Sequence, residues 1–319
     1  MAINVAAKAD IASSTPVPGI DPETFEALRP YLFAIAYRML GSASDAEDAI
    51  QEAYVRLASR PPKDLRSPKA YLSTVVTRLC LDQLAATRVD RQAYRGPWLP
   101  EPVPTEDLVP GPEGAMERRE EISLACLVLL EHLTPEERAI YVLREAFDYP
   151  FREIAQMLDK SVPATRQLAH RARARLAGRP RFVASPQDQR RLAERFLAAT
   201  RRGDMPALTT LLADDVTGWA DGGAKTRAAR RPIRGHDAVA RWLVGVHRIL
   251  YADARATFAE VNGGVGALLW VDAELVTVTV LDVDAERVQT VRSVSNPDKL
   301  AYLHRRLSPS HLVAHRLSG

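Results

Sequence analysis

The chain has 319 residues, 46% hydrophobic and 26% charged, with a formal net charge of +3. That length holds two or three domains of ordinary globular composition. No apolar run reaches a membrane span, and the longest, around Leu124–Leu130, fits a core helix. Cys80 and Cys126 stand in apolar helical contexts far from any second ligand, which points to two buried thiols rather than a disulfide or a metal site. Residues 1–20 are rich in Ala, Pro and Ser and lack the apolar core of a signal peptide, so they read as a disordered tail on a cytoplasmic protein.

Residues 23–60 have helical periodicity. Leu28, Leu32, Ile35, Ala36 and Met39 make one stripe, and Gly41 stops that helix. Ser44 and Glu47 have the spacing of a capping box for the next one. Its apolar positions (Ala46, Ala49, Ile50, Ala53, Val55, Leu57) leave Asp45, Glu47, Asp48 and Glu52 on an open, acidic side. Ser67 and Pro68 start a third helix, with Tyr71, Leu72, Val75, Leu79, Leu81 and Leu84 toward a core. Its exposed positions turn basic at Arg78, Arg88, Arg91 and Arg95. Tyr71 and Tyr94 place aromatic faces near this basic strip, a combination that suits single-stranded bases, although Tyr71 also fits simple packing.

Residues 96–116, dense in Pro and Gly, read as a linker. An apolar Trp98-Leu99 pair between prolines is unusual in a spacer and suggests a segment that docks on another domain. An apolar-striped helix follows from Glu117, then Thr134 with Glu137 caps another. Phe151–Leu176 reads as helix, tight turn and helix. In the second helix Thr165, Leu168, Ala169, Ala172 and Leu176 share one face. Arg166, Gln167, His170, Arg171 and Arg173 lie off it. From Ser161 to Arg181 there is no Asp or Glu. This is the pattern of a helix-turn-helix, whose second helix enters the DNA major groove and whose basic residues meet phosphates and base edges. Beyond Arg181 come two amphipathic helices, a strand ending in a turn at Asp221-Gly222-Gly223, a helix over 237–250, and strand-like runs at 255–261, 266–271, 274–282 and 287–294. Helices followed by antiparallel strands predict an α+β domain.

The order of helical unit, linker and helix-turn-helix resembles the extracytoplasmic-function sigma factors of bacterial RNA polymerase. Asp45–Leu57 is similar to their polymerase-clamp-binding helix, Ser67–Leu84 to the helix that opens and reads the minus-10 element, and Leu133–Leu176 to their minus-35 reader. Trp98–Pro102 (WLPEP), Asp221–Lys225 (DGGAK) and Asn296–Leu300 (NPDKL) resemble the signature segments of the subgroup with a fused SnoaL-like extension that stands in for a separate anti-sigma protein. The usual second motif is DGGGK, and Ala224 replaces its third Gly, which makes that turn less permissive. Arg78 stands where many such factors have Asn, so their base preference does not carry over.

The resemblance implies two all-α domains (sigma region 2 over 21–95 and region 4 over 117–181), the 96–116 linker, and an α+β SnoaL-like cone domain over 186–319. It implies polymerase contacts at Asp45, Asp48, Gln51 and Glu52, and minus-10 contacts at Tyr71, Arg78, Arg88 and Arg91. Minus-35 contacts fall at Arg166, Gln167, His170, Arg171 and Arg173. A regulatory interface falls at Trp98, Leu99, Pro100, Glu101, Pro102, Asp221, Gly222, Gly223, Lys225, Asn296, Pro297, Asp298, Lys299 and Leu300. The partners implied are core RNA polymerase, through its beta-prime clamp and beta subunit, and promoter DNA. No membrane, metal or organic cofactor is implied, and the free chain is expected to be a monomer. SnoaL-like folds include cyclases and isomerases, which makes Asp221, His236, Asp237, His247 and Tyr251 acid–base candidates. No pairing among them follows from spacing, and a ligand-binding or plain interaction domain is the stronger expectation. The competing reading is a helix-turn-helix regulator that works without polymerase, fused to a ligand-binding or enzyme domain.

Overall fold

The computed structural model describes residues 21–59, 65, 67–87, 91, 93–109, 122–177, 185–284 and 287–307. α1 (Pro22–Leu40) begins where Asp21 accepts from Thr24 N at 2.6 Å and ends at Gly41, whose φ of 68° lets its N–H close back on Tyr37 O. α2 (Ala43–Ser59) and α3 (Pro68–Ala86) complete a three-helix unit; Ser67 caps α3 with Pro68 in its first turn. Residues 93–104 are largely extended and lead into a single turn, α4 (Thr105–Leu108).

α5 (Leu124–Leu130) and α6 (Pro135–Tyr141) follow, and Thr134 with Glu137 forms a reciprocal capping box on α6. A π-helical turn, Val142–Ala146, carries the chain to α7 (Phe151–Met157) and α8 (Val162–Leu176), the two arms of the helix-turn-helix. Thr165, Leu168, Ala169 and Ala172 of α8 are buried, while its Arg, Gln and His side chains face out. One apolar cluster takes Leu32 and Ile35 from α1, Ile50 from α2, Leu72 and Val76 from α3, Ile140 from α6 and Leu168 from α8. The two helical units therefore share a core. Over its described residues, 96–109, the segment between them is no free spacer, since Leu99, Val103 and Leu108 are buried. Cys80 is buried, Cys126 is only half-buried, and neither is in a disulfide.

The third unit is the α+β domain. α9 (Pro186–Arg202) and α10 (Met205–Leu211) precede β1 (Leu212–Asp221) and β2 (Ile233–Arg234), then α11 (His236–Leu250). β3 (Arg255–Val261), β4 (Gly264–Val271), β5 (Glu274–Asp284) and β6 (Arg287–Val294) follow, then α12 (Pro297–Leu307). The sheet order is β2-β1-β6-β5-β4-β3. Every pairing is antiparallel except β1 with β6, which is parallel. The sheet is therefore mixed rather than wholly antiparallel; the long excursion through α11 and β3–β5 permits a parallel return. α9 and α11 cover one face of the sheet. The other face packs on Leu99, on Leu124 of α5 and on Leu300 and Leu303 of α12. α12 also touches the first unit: Tyr302 stacks on Phe33 at 5.5 Å, Arg305 meets Glu47 at 3.2 Å and Arg306 meets Asp107 at 2.5 Å.

The parallel β1–β6 pair has a local consequence. Asp221 pairs with Val294, so the turn after β1 and the start of α12 emerge together at one end of the sheet. In that turn Gly223 has φ 58° and Ala224 φ 59°. Ala224 is thus a non-glycine residue in the left-handed region, a conformation that costs an L-residue roughly 1–2 kcal/mol. Ala224→Gly should raise stability by about 0.5–1 kcal/mol after the entropy of Gly is charged against it. Urea unfolding of the full chain with unchanged slope checks this.

Candidate promoter and polymerase surfaces and the interdomain lock

At the end of the sheet the Asp221 carboxylate is fully buried and collects donors from three chain segments. Tyr94 OH donates to Oδ1 at 2.5 Å, and Gly223 N donates to the same oxygen at 3.1 Å. Leu99 N donates to Oδ2 at 2.8 Å and Lys299 Nζ at 2.7 Å. Lys299 also donates to Leu99 O at 2.6 Å and lies 4.2 Å from the Trp98 ring centroid. Burial pulls the Lys299 ammonium below its ordinary value, and Asp221 offsets part of that. Burial and the Asp221 charge both push the Tyr94 phenol up, so it stays a donor. Ser295 N and Asn296 N donate to Asp221 O at 2.8 and 3.0 Å. Asn296 Nδ2 donates to Tyr94 OH at 3.1 Å, and Asn296 Oδ1 accepts from Asp298 N at the start of α12, with Pro297 next to it. Lys225 pairs with Asp298 at 2.5 Å on the rim, and Gly222 and Leu300 are buried beneath. A Cβ on Gly223 would stand 2.2 Å from Asn296 Nδ2, so only glycine fits that approach.

The same extended segment reaches α2. Glu101 accepts from Ala43 N at 2.9 Å, Ser44 N at 3.3 Å, Ser42 Oγ at 2.7 Å and Ser44 Oγ at 2.9 Å. Ser42 Oγ takes Asp45 N at 3.1 Å. The Ser44–Glu47 capping box is therefore replaced: Ser42 and the distant Glu101 satisfy the helix start, and Glu47 turns to Arg305. Pro100 and Pro102 are buried on either side of Glu101. One step on, Val103 N donates to Asn262 Oδ1 at 3.0 Å, and Asn262 Nδ2 donates to Tyr37 OH at 2.7 Å, which donates to Glu101 O at 2.5 Å. Asn262 and Tyr37 escaped sequence reasoning, and Tyr94, read there as an aromatic face beside the basic strip, donates to Asp221 in this arrangement. Asn262-Gly263 has a visible hairpin-turn signature, but nothing in it shows that the side chain reaches across domains.

On α2 the polymerase candidates Asp48, Gln51 and Glu52 are exposed and Asp45 is half-buried; Glu52 is paired with Arg56 at 2.7 Å. On α8 Arg166, Gln167, His170 and Arg171 are exposed. Arg173 is also exposed but is held by Glu145 at 2.6 Å, and Arg175, which sequence reasoning left out, is held by Glu137.

Among the described residues, the minus-10 candidates do not form an open strip. Tyr71 is half-buried against the helical core. Arg78 donates to Met157 O at 2.9 Å and to Asp159 Oδ2 at 2.8 Å, both in the helix-turn-helix. Arg88 lies outside the described residues. Arg91 is turned inward: it pairs with Glu131, donates to Leu40 O at 2.5 Å and stacks on Trp98 at 4.3 Å. Such a half-buried guanidinium with a carboxylate and a carbonyl partner is a structural clasp in this conformation.

Of the acid–base candidates, His236 and Asp237 pair with each other near the surface at 3.1 Å, and Asp221 is consumed by the lock. His247 and Tyr251 line a chamber between the sheet, α9 and α11.

These surfaces define a class. Residues 24–89 match the sigma-70 region 2 family and residues 124–176 the sigma-70 region 4 family. The chain belongs to the ECF RNA polymerase sigma factors, with an α+β SnoaL-like extension behind the two sigma regions. It is 38% identical over 288 residues to the ECF RNA polymerase sigma factor SigJ of Mycobacterium tuberculosis H37Rv, covering 86% of this chain and 91% of that protein. It is 31% identical to the probable factor SigI of the same species, covering 86% of this chain and 93% of SigI. The crystal structure of the M. tuberculosis SigJ superposes with a TM-score of 0.69 at 34% identity, over 90% of this chain and 99% of that one.

Glu131 joins the first helical unit to the second through Arg91 and Arg138. Burial raises its carboxyl, but Arg138 and Arg91 outweigh that and hold it below the ordinary 4.5. A depressed carboxyl contributes stability above the unfolded value, and that contribution is lost as pH falls through the folded one. Glu131→Gln should therefore cost roughly 2–3 kcal/mol at neutral pH, since it leaves two arginines unbalanced. The gap to the unaltered protein should narrow below about pH 4.5, as urea midpoints at pH 7 and pH 4 would report.

Proposed function

We propose that this chain directs RNA polymerase to two-part promoters from the cytoplasm, and that its C-terminal domain holds it in a closed, restrained form. The acidic face of α2 meets the beta-prime clamp through Asp48, Gln51 and Glu52, by charge complementarity with a basic surface. α8 reads the minus-35 duplex through Arg166, Gln167, His170 and Arg171. α3 and its basic end hold the opened minus-10 strands.

The observation that carries the closed reading is the Arg78 contact with Met157 and Asp159. It puts the minus-10 helix within hydrogen-bond reach of the minus-35 reader. The two promoter elements are about 25 base pairs apart, or ~85 Å of duplex at 3.4 Å per pair. A chain clasped this way cannot occupy both at once. Arg91 points the same way, since a residue suited to phosphates is spent on Glu131 and Trp98.

Catalysis belongs to the polymerase. Among the described residues the chamber is lined by His247 and Tyr251 and by no carboxylate, and we assign it no catalytic role.

Run-off transcription with core polymerase tests this reading. Lys299→Met strands Asp221 in the interface, a loss of about 3–5 kcal/mol for a broken buried pair. It should raise initiation severalfold at fixed protein concentration; unchanged or lower initiation by a folded variant would sink the restraint. Arg171→Glu should lose promoter recognition by ten- to a hundredfold, the equivalent of ~1–3 kcal/mol for one base or phosphate contact. Core polymerase binding in a pull-down should stay unchanged. Loss of both would contradict the division between α2 and α8.

A further inference from the structure

Two cavities meet behind the Asp221 turn, and promoter direction uses neither. The first is the chamber between the sheet, α9 and α11. Its walls are mostly apolar, with Phe196, Trp242, Leu269 and Leu281 among them, and the water-sized space inside is about 70 Å³. The second is a cleft of about 260 Å³ lined by Arg95, Arg227 and Arg230 with the backbone of Gly96 and Gly222. The two share Ala220, Arg227 and Ala228, so they adjoin at the base of the loop that follows β1.

The three arginines are unusual in their company. Among the described residues none of them has a hydrogen-bond or ion-pair partner, and no Asp or Glu lines the cleft. They also come from different parts of the chain. Arg95 precedes the segment that bears Trp98 and Leu99, while Arg227 and Arg230 belong to the C-terminal domain. Gly96, at φ 91°, brings that segment against the loop; a Cβ there would stand 3.8 Å from Arg230 Cα. Converging, unpaired guanidiniums in a concavity focus positive potential, and their planar forks match carboxylate or phosphate oxygens.

We propose that the two cavities form one site for a small amphipathic acid. Its single anionic head, a carboxylate or a phosphate monoester, is held by Arg95, Arg227 and Arg230. Its apolar body runs past the shared Ala220 and Ala228 into the chamber, which has room for about six heavy atoms at ~12 Å³ each. The head bridges the interdomain segment and the C-terminal domain, so the ligand binds the closed chain and stabilises it. That consequence rests on the closed, restrained state proposed above; the binding itself does not.

Isothermal titration of the full chain tests the site with octanoate, octyl phosphate, inorganic phosphate and octanol. At least one octyl anion should bind tenfold or more tightly than both inorganic phosphate and octanol, and the better of the two identifies the head. Octanoate should outbind butyrate by a similar factor, a test of the chamber that needs no substitution in the core. Arg227→Ala combined with Arg230→Ala should weaken the octyl anion at least tenfold, and Arg95→Ala alone should weaken it measurably, because that residue supplies the bridge. No binding of either octyl anion at millimolar concentration overturns the site. So does inorganic phosphate that binds as tightly as octyl phosphate, or an affinity indifferent to all three arginines. Run-off transcription with the bound anion separates the two readings: binding with unchanged initiation upholds the site and removes the restraint.

Discussion

A carboxylate taken out of water must be answered by donors at fixed places, and Asp221 imposes that demand on the whole chain. Its donors are Tyr94, Leu99, Gly223 and Lys299, which lie before, within and after the domains they connect. No two of these segments can supply the full set. Buried networks of this kind add little net stability compared with an apolar contact of the same size, yet breaking one member is costly. The lock therefore acts mainly on specificity. It makes one arrangement of three units far better than its near neighbours, and it fails as a unit rather than loosening by degrees.

The lock is tied to α2 by only a few residues. Leu99 meets Asp221, and two positions on, Glu101 caps α2, its backbone carbonyl accepting from Tyr37. Val103 then joins Asn262, which returns to Tyr37. A displacement of the C-terminal domain thus disturbs the start of α2, and a partner on α2 is felt at Asp221. To invert a closed population of ninety-nine in a hundred, partners must favour the open form by roughly 5.5 kcal/mol. On the proposed reading, that preference comes from core polymerase and a two-element promoter.

What the sequence made legible follows from the range of the forces involved. The helix-turn-helix, the Thr134–Glu137 box, the stop at Gly41 and strands β3 to β6 rest on interactions within a few residues, and their periodicity and caps could be read directly. The Ser44–Glu47 box was misleading because its place is taken by a carboxylate from Glu101, whose arrival no local pattern announces. Pro and Gly in residues 96–104 spoke for a spacer. Their extended backbone is instead what lets the segment lie buried between units, with its few polar groups answered by Asn262, Gly41 and Asp221. The parallel β1–β6 pairing was hidden for the same reason. The segments DGGAK and NPDKL stood out by resemblance alone and WLPEP also by its apolar Trp98-Leu99 pair, and no periodicity indicated that the three converge. Arg78 and Arg91 show an ambiguity of another kind: a basic helix end reads as a phosphate contact whether its partners are nucleotides or, as in this closed arrangement, groups of the same chain.

The closed arrangement does not cover every working surface equally. Asp48, Gln51 and Glu52 remain exposed on α2, and Arg166, Gln167, His170 and Arg171 remain exposed on α8. What is engaged is α3 and its extension, with Arg78 on the helix-turn-helix and Arg91 between Glu131 and Trp98. On the proposed reading, docking to polymerase and to a minus-35 duplex needs only these exposed faces, so the closed chain withholds neither. Holding separated minus-10 strands would, on the same reading, need Arg78 released and the two helical units parted, which breaks their shared core and the clasp through Glu131. On the proposed reading, restraint therefore falls on promoter opening and on simultaneous engagement of both elements. Polymerase and the first promoter element are in place before the lock has to yield.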